Sequence, residues 1–269
     1  MIGGAIGQLI PVWIVKDGSH FHQSQITTLM IVEASYASFM LVLVLHFFRN
    51  KPHKPPSPTA SQQREPFCKS MKLLLSNWNF ILLVLTFFCI VGTLNNLATI
   101  LEEIFSLYSY PNPTTFSSLV NSLNFFVGFG GSIVFAAIAD RTKKFKLLMF
   151  VCAFVSACVL ACFTWLAPRR SAWLSGSLVC LFGAFNVATI PLALELGAEL
   201  SYPVGEAYSS GLVMSASQVS AVVLSYISSA LFDASSDSST RSPYIVNLMN
   251  FGVCCLGSFL VLGIKGKLG

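Results

Sequence analysis

Asn186–Ser220 reads NVATIPLALELGAELSYPVGEAYSSGLVMSASQVS, two apolar runs joined by the breaker Ser201-Tyr202-Pro203-Val204-Gly205. Pro203 and Gly205 stop a helix and let the chain turn back, so the stretch reads as a helical hairpin. Its first arm holds Glu195 and Glu199; its second opens on Glu206 and carries Gln218. A charged side chain at the centre of a bilayer costs about 2.5–3.5 kcal/mol on insertion scales, so such groups face a bundle interior or a water-filled cavity. The hairpin is therefore a pair of membrane spans with a polar lining.

The rest of the chain repeats that pattern. Apolar residues make up 54% and charged residues 10%, against roughly 25% charged in soluble domains, and the mean hydropathy is +0.71. A hydrocarbon core of about 30 Å takes about 20 helical residues to cross. Apolar runs of that length are expected to span at 27–48, 78–104, 115–138, 147–167, 173–198, 208–232 and 244–264. A shorter run, Ile2–Val15, has Gly3, Gly4 and Gly7 at the small-residue spacing of close helix contacts, and reads as the second half of a further span. The segment Arg49–Lys72, RNKPHKPPSPTASQQREPFCKSMK, is basic and proline-rich, a solvated connector rather than a helix through its prolines. The expected fold is an all-α polytopic membrane protein. Residues 1–48 form its first two helices, 49–76 a linker, 77–264 a six-helix bundle and 265–269 a tail.

Orientation follows from the basic residues. The linker carries Arg49, Lys51, Lys54, Arg64, Lys69 and Lys72, the 140–146 loop Arg141, Lys143, Lys144 and Lys146, and the tail Lys265 and Lys267. Those are all but four of the 16 Lys and Arg, which places linker, loop and both termini in the cytoplasm, in a plasma or organelle membrane. Basic residues that flank apolar runs form no nucleic-acid surface. The eight cysteines include no C-x-x-C pair and no histidine at ligand spacing, so they read as small packing residues rather than disulfides or metal ligands. No nucleophile elbow, P-loop or H-E-x-x-H motif is present. An enzyme, a metal centre and a cofactor are not expected.

Candidate residues are the polar groups inside apolar runs. Glu195 and Glu199 are four apart and share a helix face with Pro191, where they line a cavity or snorkel to the membrane edge. A mid-membrane proline leaves carbonyls unpaired, as at a bend or a cavity wall. Glu206 sits in a first helical turn, where the dipole favours an acid; it gates or couples, or simply caps. Gln218 lies about 18 Å deeper on roughly the same face. Asn95-Asn96 and Glu33 are further mid-span polar groups that contact solute or bond another helix. Glu102 and Glu103 close the 78–104 run and mark where it leaves the membrane. Ala136–Lys144, AAIADRTKK, ends a span in Asp140-Arg141, an arrangement that can latch neighbouring helix ends.

Together the linker RNKPHKPPS, LSNWNFILLVLTFFCIVG, ILEEI, IADRTKKF and ELGAELSYPVGEAYSSG resemble the major facilitator superfamily, specifically solute carrier family 49. That is the group of the feline leukaemia virus subgroup C receptor (FLVCR) proteins. Asp140–Lys143 and Pro203–Glu206 look closer to its branch named major facilitator superfamily domain-containing protein seven. The resemblance implies a fold of twelve spans in two six-helix bundles. This chain matches spans five to twelve: a complete C-terminal bundle plus the last two helices of the N-terminal one, the first of them partial. It implies a solute carrier working by alternating access on a small organic solute, with choline, ethanolamine and haem as candidates. Gln218 matches a glutamine of the family's substrate cavity and Glu206 an acid at the start of the same helix. Asn95 stands where those proteins cage quaternary ammonium with an aromatic ring. Met1 stands at the position of a second cavity glutamine. The partners implied are a small-molecule substrate and the lipid bilayer. The alternatives are a non-transporting form that associates with a full-length relative, and a receptor-like membrane protein on the same scaffold.

Overall fold

The structure, a computed structural model, describes residues 2–7, 10, 14, 23–48, 66–169, 171–234 and 241–265. Ten α-helices run through them: α1 (Ile2–Gly7), α2 (Gln23–Phe47), α3 (Phe67–Ser76), α4 (Trp78–Leu107), α5 (Pro113–Thr142), α6 (Phe145–Leu166), α7 (Ala172–Asn186), α8 (Thr189–Ser201), α9 (Glu206–Ala234) and α10 (Arg241–Gly263). Seven stretches are long and apolar enough to cross a membrane, with α7 and α8 counted as one. These coincide with the seven long runs read from the sequence. Of Ile2–Val15, only α1, Ile10 and Ile14 fall within the described residues.

Helix α4 is the axis of the bundle. In its most apolar window 72% of residues are buried, against 22% for α9 and 28% for α5. It packs along α9 and α10, while α5 lies on α7, α6 on α7 and α10, and α1 on α5. Two apolar clusters fill the interior. One joins Phe80, Leu83 and Phe87 to Met149, Leu192 and Val261; the other joins Leu97, Leu101 and Phe105 to Phe163, Phe182 and Val246. Helix α2 is different: nearly all of its described side chains are exposed despite a hydropathy of 2.0.

The span containing Pro191 is broken. Helix α7 stops at Asn186, Val187 and Ala188 form a turn, and α8 resumes at Thr189. Pro191 has no N–H for the Val187 carbonyl and its ring crowds that oxygen. The carbonyl accepts from the Ile190 N–H at 3.1 Å instead. Thr189 Oγ1 donates to the Asn186 carbonyl at 2.6 Å, and Asn186 Nδ2 donates to the Ile90 carbonyl of α4 at 3.1 Å. Side chains and a tighter turn thus satisfy most of what the proline released.

The end of the bundle next to the linker is tied by amides and one lysine. Asn77 caps α4, accepting from the Asn79 and Phe80 N–H groups at 3.1 and 3.4 Å, and its Nδ2 donates to the Leu200 carbonyl at 2.8 Å. Asn79 Oδ1 accepts from the Lys265 N–H at 3.0 Å. Lys146, at the start of α6, donates from Nζ to the Leu262 carbonyl at 2.9 Å, placing a cation at the negative end of α10. The segment 67–76, expected to be part of a solvated linker, is helix α3. No proline follows Pro66, and FCKSMKLLLS alternates polar and apolar residues at helical spacing. Residues 49–65 lie outside the described residues.

At the far end Tyr110 closes the bundle. Its Oη donates to the Ala167 carbonyl at 2.9 Å and lies 2.7 Å from Ser175 Oγ; its ring stacks near Phe105 and Phe116. Burial pushes the Tyr110 phenol upward. It pushes Tyr108 up to about 12, with Tyr110 and Tyr244 adding to the shift. A free tyrosine ionises near pH ~10, so this end keeps its full stability below that pH and loses it as pH rises through the folded values. Tyr110→Phe is expected to strand the Ala167 carbonyl and cost about 1–3 kcal/mol, read as a lowered melting temperature of the purified chain in detergent.

Candidate functional site

One stripe along α4 explains where the cavity lies. Asn95, Thr99 and Glu102 recur at four- and three-residue steps, which stacks them on one helix face. That face looks toward Ser117, Ser118, Asn121 and Phe125 of α5 and Gln218 and Ala221 of α9. Together with Ala98 these residues wall an open cavity of about 500 Å³, within the usual size of small-molecule sites.

Hydrogen bonds fix how the walls present themselves. Thr99 Oγ1 donates to the Asn95 carbonyl at 2.9 Å and Ser117 Oγ to the Thr114 carbonyl at 3.0 Å. Asn121 Nδ2 donates to the Ala98 carbonyl at 2.9 Å, while its Oδ1 is buried without a partner. Glu102 Oε1 accepts from Thr114 Oγ1 at 2.6 Å.

Of the residues singled out in the sequence, Asn95 and Gln218 stand together in this cavity. Asn96 does not. It is fully buried and points into a polar node between α4, α9 and α10, with Nδ2 donating to Asn250 Oδ1 at 2.8 Å and to Ser228 Oγ at 3.2 Å. Its Oδ1 accepts from Ser225 Oγ at 3.0 Å. One residue is a turn of about 100° on a helix, enough to send adjacent amides to different faces. Glu33 is exposed on α2, away from the cavity walls. Glu195, Glu199 and Glu206 are exposed on the linker-side half of α8 and in the first turn of α9, and none of them is a cavity wall.

Asp140 is expected to latch one helix end to another, or to accept from an arginine. In the structure its partner is Lys143, three residues on at the end of its own helix, at 3.9 Å with both side chains exposed. Helix α5 ends there because Lys143 adopts a left-handed backbone with φ 55°. Arg141 is exposed beside it. The ties between helix ends come instead from Asn77, Asn79 and Lys146.

Sequence reasoning took Glu102 only as a marker of the membrane edge and passed over Asn121 and the serines of α5. The repeat Asn95–Thr99–Glu102 was the available signal, and Asn121 is an amide inside an apolar run like those already noted. No group of three metal-ligating side chains comes together among the described residues.

An open cavity with polar walls, set between three long helices of a six-span bundle, is a geometry that membrane carriers use. The sequence profile of the Major Facilitator Superfamily matches residues 1–225. The chain belongs to this superfamily. It is a multi-pass integral membrane protein, with the fold of one superfamily bundle and helices that precede it. It is similar to solute carrier family 49 member A3 of Xenopus tropicalis, 33% identical over 174 residues. It is also similar to the human choline/ethanolamine transporter FLVCR2, 26% identical over 243 residues, and to an uncharacterised MFS-type transporter of Caenorhabditis elegans, 29% identical over 233 residues. Those alignments take in 64%, 86% and 84% of this chain and 36%, 45% and 40% of the respective relatives. The chain thus spans half or less of their length. The FLVCR2 and Caenorhabditis elegans relatives are transporters by name.

Proposed function

We propose that the chain supplies the C-terminal solute-binding bundle of a carrier that moves a small organic solute across a membrane by alternating access. The carrying observation is the cavity that joins Asn95 and Gln218 across α4 and α9. The printed role of the FLVCR2 relative, choline and ethanolamine transport, supports amino alcohols as the solute. Among the described residues the cavity walls offer no His, Cys, Met or Tyr to a haem iron, which favours the amino alcohols over haem. On this reading the chemistry is translocation rather than catalysis.

In such a carrier two bundles rock about a central site. The second bundle comes from the same polypeptide or from a full-length relative with which this chain associates. The predominance of Lys and Arg on the linker, the 140–146 loop and the tail supports a cytoplasmic position for that end. Glu195, Glu199, Glu206, Asp140 and Arg141 then belong to the cytoplasmic half, where the acids at 199 and 206 flank the hairpin turn and serve gating or coupling.

The test is uptake of labelled choline, ethanolamine and haem by cells expressing the gene that encodes this chain. Gln218→Ala is expected to lower uptake of the transported solute about tenfold or more, the weight of one or two lost hydrogen bonds to a charged solute. Glu206→Gln is expected to lower it less. Unchanged uptake in both variants rejects the site. Uptake into proteoliposomes by this chain alone separates a carrier from a partner of one.

A further inference from the structure

We propose that Glu102 is the specificity-determining residue of the cavity and that it selects solutes bearing a hydrogen-bond-donating ammonium group over quaternary ammonium. The inference rests on reading the cavity between α4, α5 and α9 as the solute site.

Among the described residues the walls carry one ionisable side chain, Glu102, and no cation. Its charge is met neither by a lysine nor by an arginine within salt-bridge distance among the described residues. One of its oxygens is held by Thr114 at 2.6 Å, which fixes the carboxylate against α5, and its second oxygen is left for a ligand. Glu102 is exposed at the mouth of an open cavity, where an unpaired carboxylate attracts a cation and repels an anion.

The remaining walls decide what kind of cation. The Thr99 and Ser117 hydroxyls have given their protons to the Asn95 and Thr114 carbonyls, so what they have left to offer is lone pairs. The Asn121 amide is oriented by its own bond. Its Nδ2 donates to the Ala98 carbonyl at 2.9 Å, so its free atom is Oδ1, an acceptor that is buried and unpartnered. Asn121 is only 5% exposed, and an unpaired acceptor at that depth gains from any donor that reaches it. Glu102, Thr99, Ser117 and the buried Asn121 oxygen are thus acceptors that lack protons to meet, beside Asn95, Ser118 and Gln218, which can donate as well as accept. A primary ammonium brings three N–H donors and a charge; a quaternary ammonium brings the charge alone. Quaternary ammonium sites rely on aromatic faces, and Phe125 is the one aromatic wall among the described residues. A site built to hydrogen-bond an N–H rejects an analogue that lacks it, because its acceptors are then left unmet.

Ethanolamine and choline differ only in N-methylation and make a matched pair. Their affinities are measured on the purified full chain in lipid nanodiscs at pH 7, for wild type, Glu102→Gln, Glu102→Asp and Gln218→Ala. Glu102→Gln keeps the shape and an oxygen for Thr114 while removing the charge. Ethanolamine is expected to bind about tenfold or more tighter than choline, as follows from charge-assisted hydrogen bonds present for one and absent for the other. Glu102→Gln is expected to erase most of that difference, and Glu102→Asp to keep part of it. Choline binding as tightly as ethanolamine, or a Glu102→Gln variant with the wild-type preference, overturns the role of Glu102. If Gln218→Ala still weakens binding in that case, the cavity stands as the solute site. Binding insensitive to both Glu102→Gln and Gln218→Ala overturns the cavity reading as well, and absence of binding by either amine overturns the ammonium class.

Discussion

Gly131→Leu is expected to abolish recovery of a monodisperse folded chain, while Gly130→Leu, one residue away, is expected to leave it intact. A Cβ built at Gly131 runs into the Ala184 backbone carbonyl, whereas one at Gly130 meets nothing within 4 Å. The obstacle is the backbone of α7, which cannot swing aside as a side chain does. The crossing is close from both sides. Gly128 lies on Val187, with the nearest methyl 2.7 Å from where its Cβ would stand, and Gly183 lies on Asn124. Membrane helices gain little by burying apolar surface from lipid, so such backbone approach carries much of their association.

The magnitudes favour a large loss. Replacing glycine in a helix gains up to about 1 kcal/mol of intrinsic propensity, and this term is the same at both positions. Overpacking costs about 1–3 kcal/mol where side chains can yield and more where they cannot. At position 131 the clash term therefore wins; at position 130 it is absent. Helix α5 also carries Ser117, Ser118, Asn121 and Phe125, so moving it off α7 displaces a cavity wall. Size-exclusion profiles and thermal unfolding of the two variants in one detergent make the comparison. Equal behaviour of the pair would show that the α5–α7 crossing is looser than its geometry.

The membrane spans were legible because hydropathy depends on composition over some twenty residues and is indifferent to neighbours. A bend near Pro191 was legible too, since a proline acts on its own helix, but 173–198 reads as one span and the break at Val187-Ala188 came only with the structure. What a sequence does not carry is which helix stands opposite. Asn95 and Asn96 are chemically identical and adjacent, yet one faces the cavity and the other a buried node; only the packing of α9 and α10 on α4 separates them. Glu102 reads as an acid at a helix end because its relation to Thr114 and Asn121 exists only once α5 has folded back. Asp140 had the look of a tie, but Asn77 and Lys146 make the ties, through carbonyls 123 and 116 residues distant in sequence.

Asn96→Leu is expected to destabilise the chain by about 1–3 kcal/mol, and the added change Asn250→Leu is expected to restore part of the loss. Direct interhelical hydrogen bonds in membranes average only about 0.6 kcal/mol, so the bonds themselves do not account for that effect. Their abandoned partners do. Removing the Asn96 amide leaves Asn250 Oδ1 without its donor at 2.8 Å, in a residue that is fully buried and whose Nδ2 already lacks a partner. Ser228 suffers less, since its hydroxyl also donates to the Leu224 carbonyl of its own helix at 2.8 Å. The cost therefore concentrates on Asn250, and a buried amide stranded in this way costs its full desolvation. Replacing both amides by leucine removes the stranded group along with the bond. A double-mutant cycle on thermal stability measures this coupling between α4 and α10. Additive losses would mean that Asn96 acts through Ser225 and Ser228 of α9 instead, and the same cycle run with Ser225→Ala would then carry the coupling.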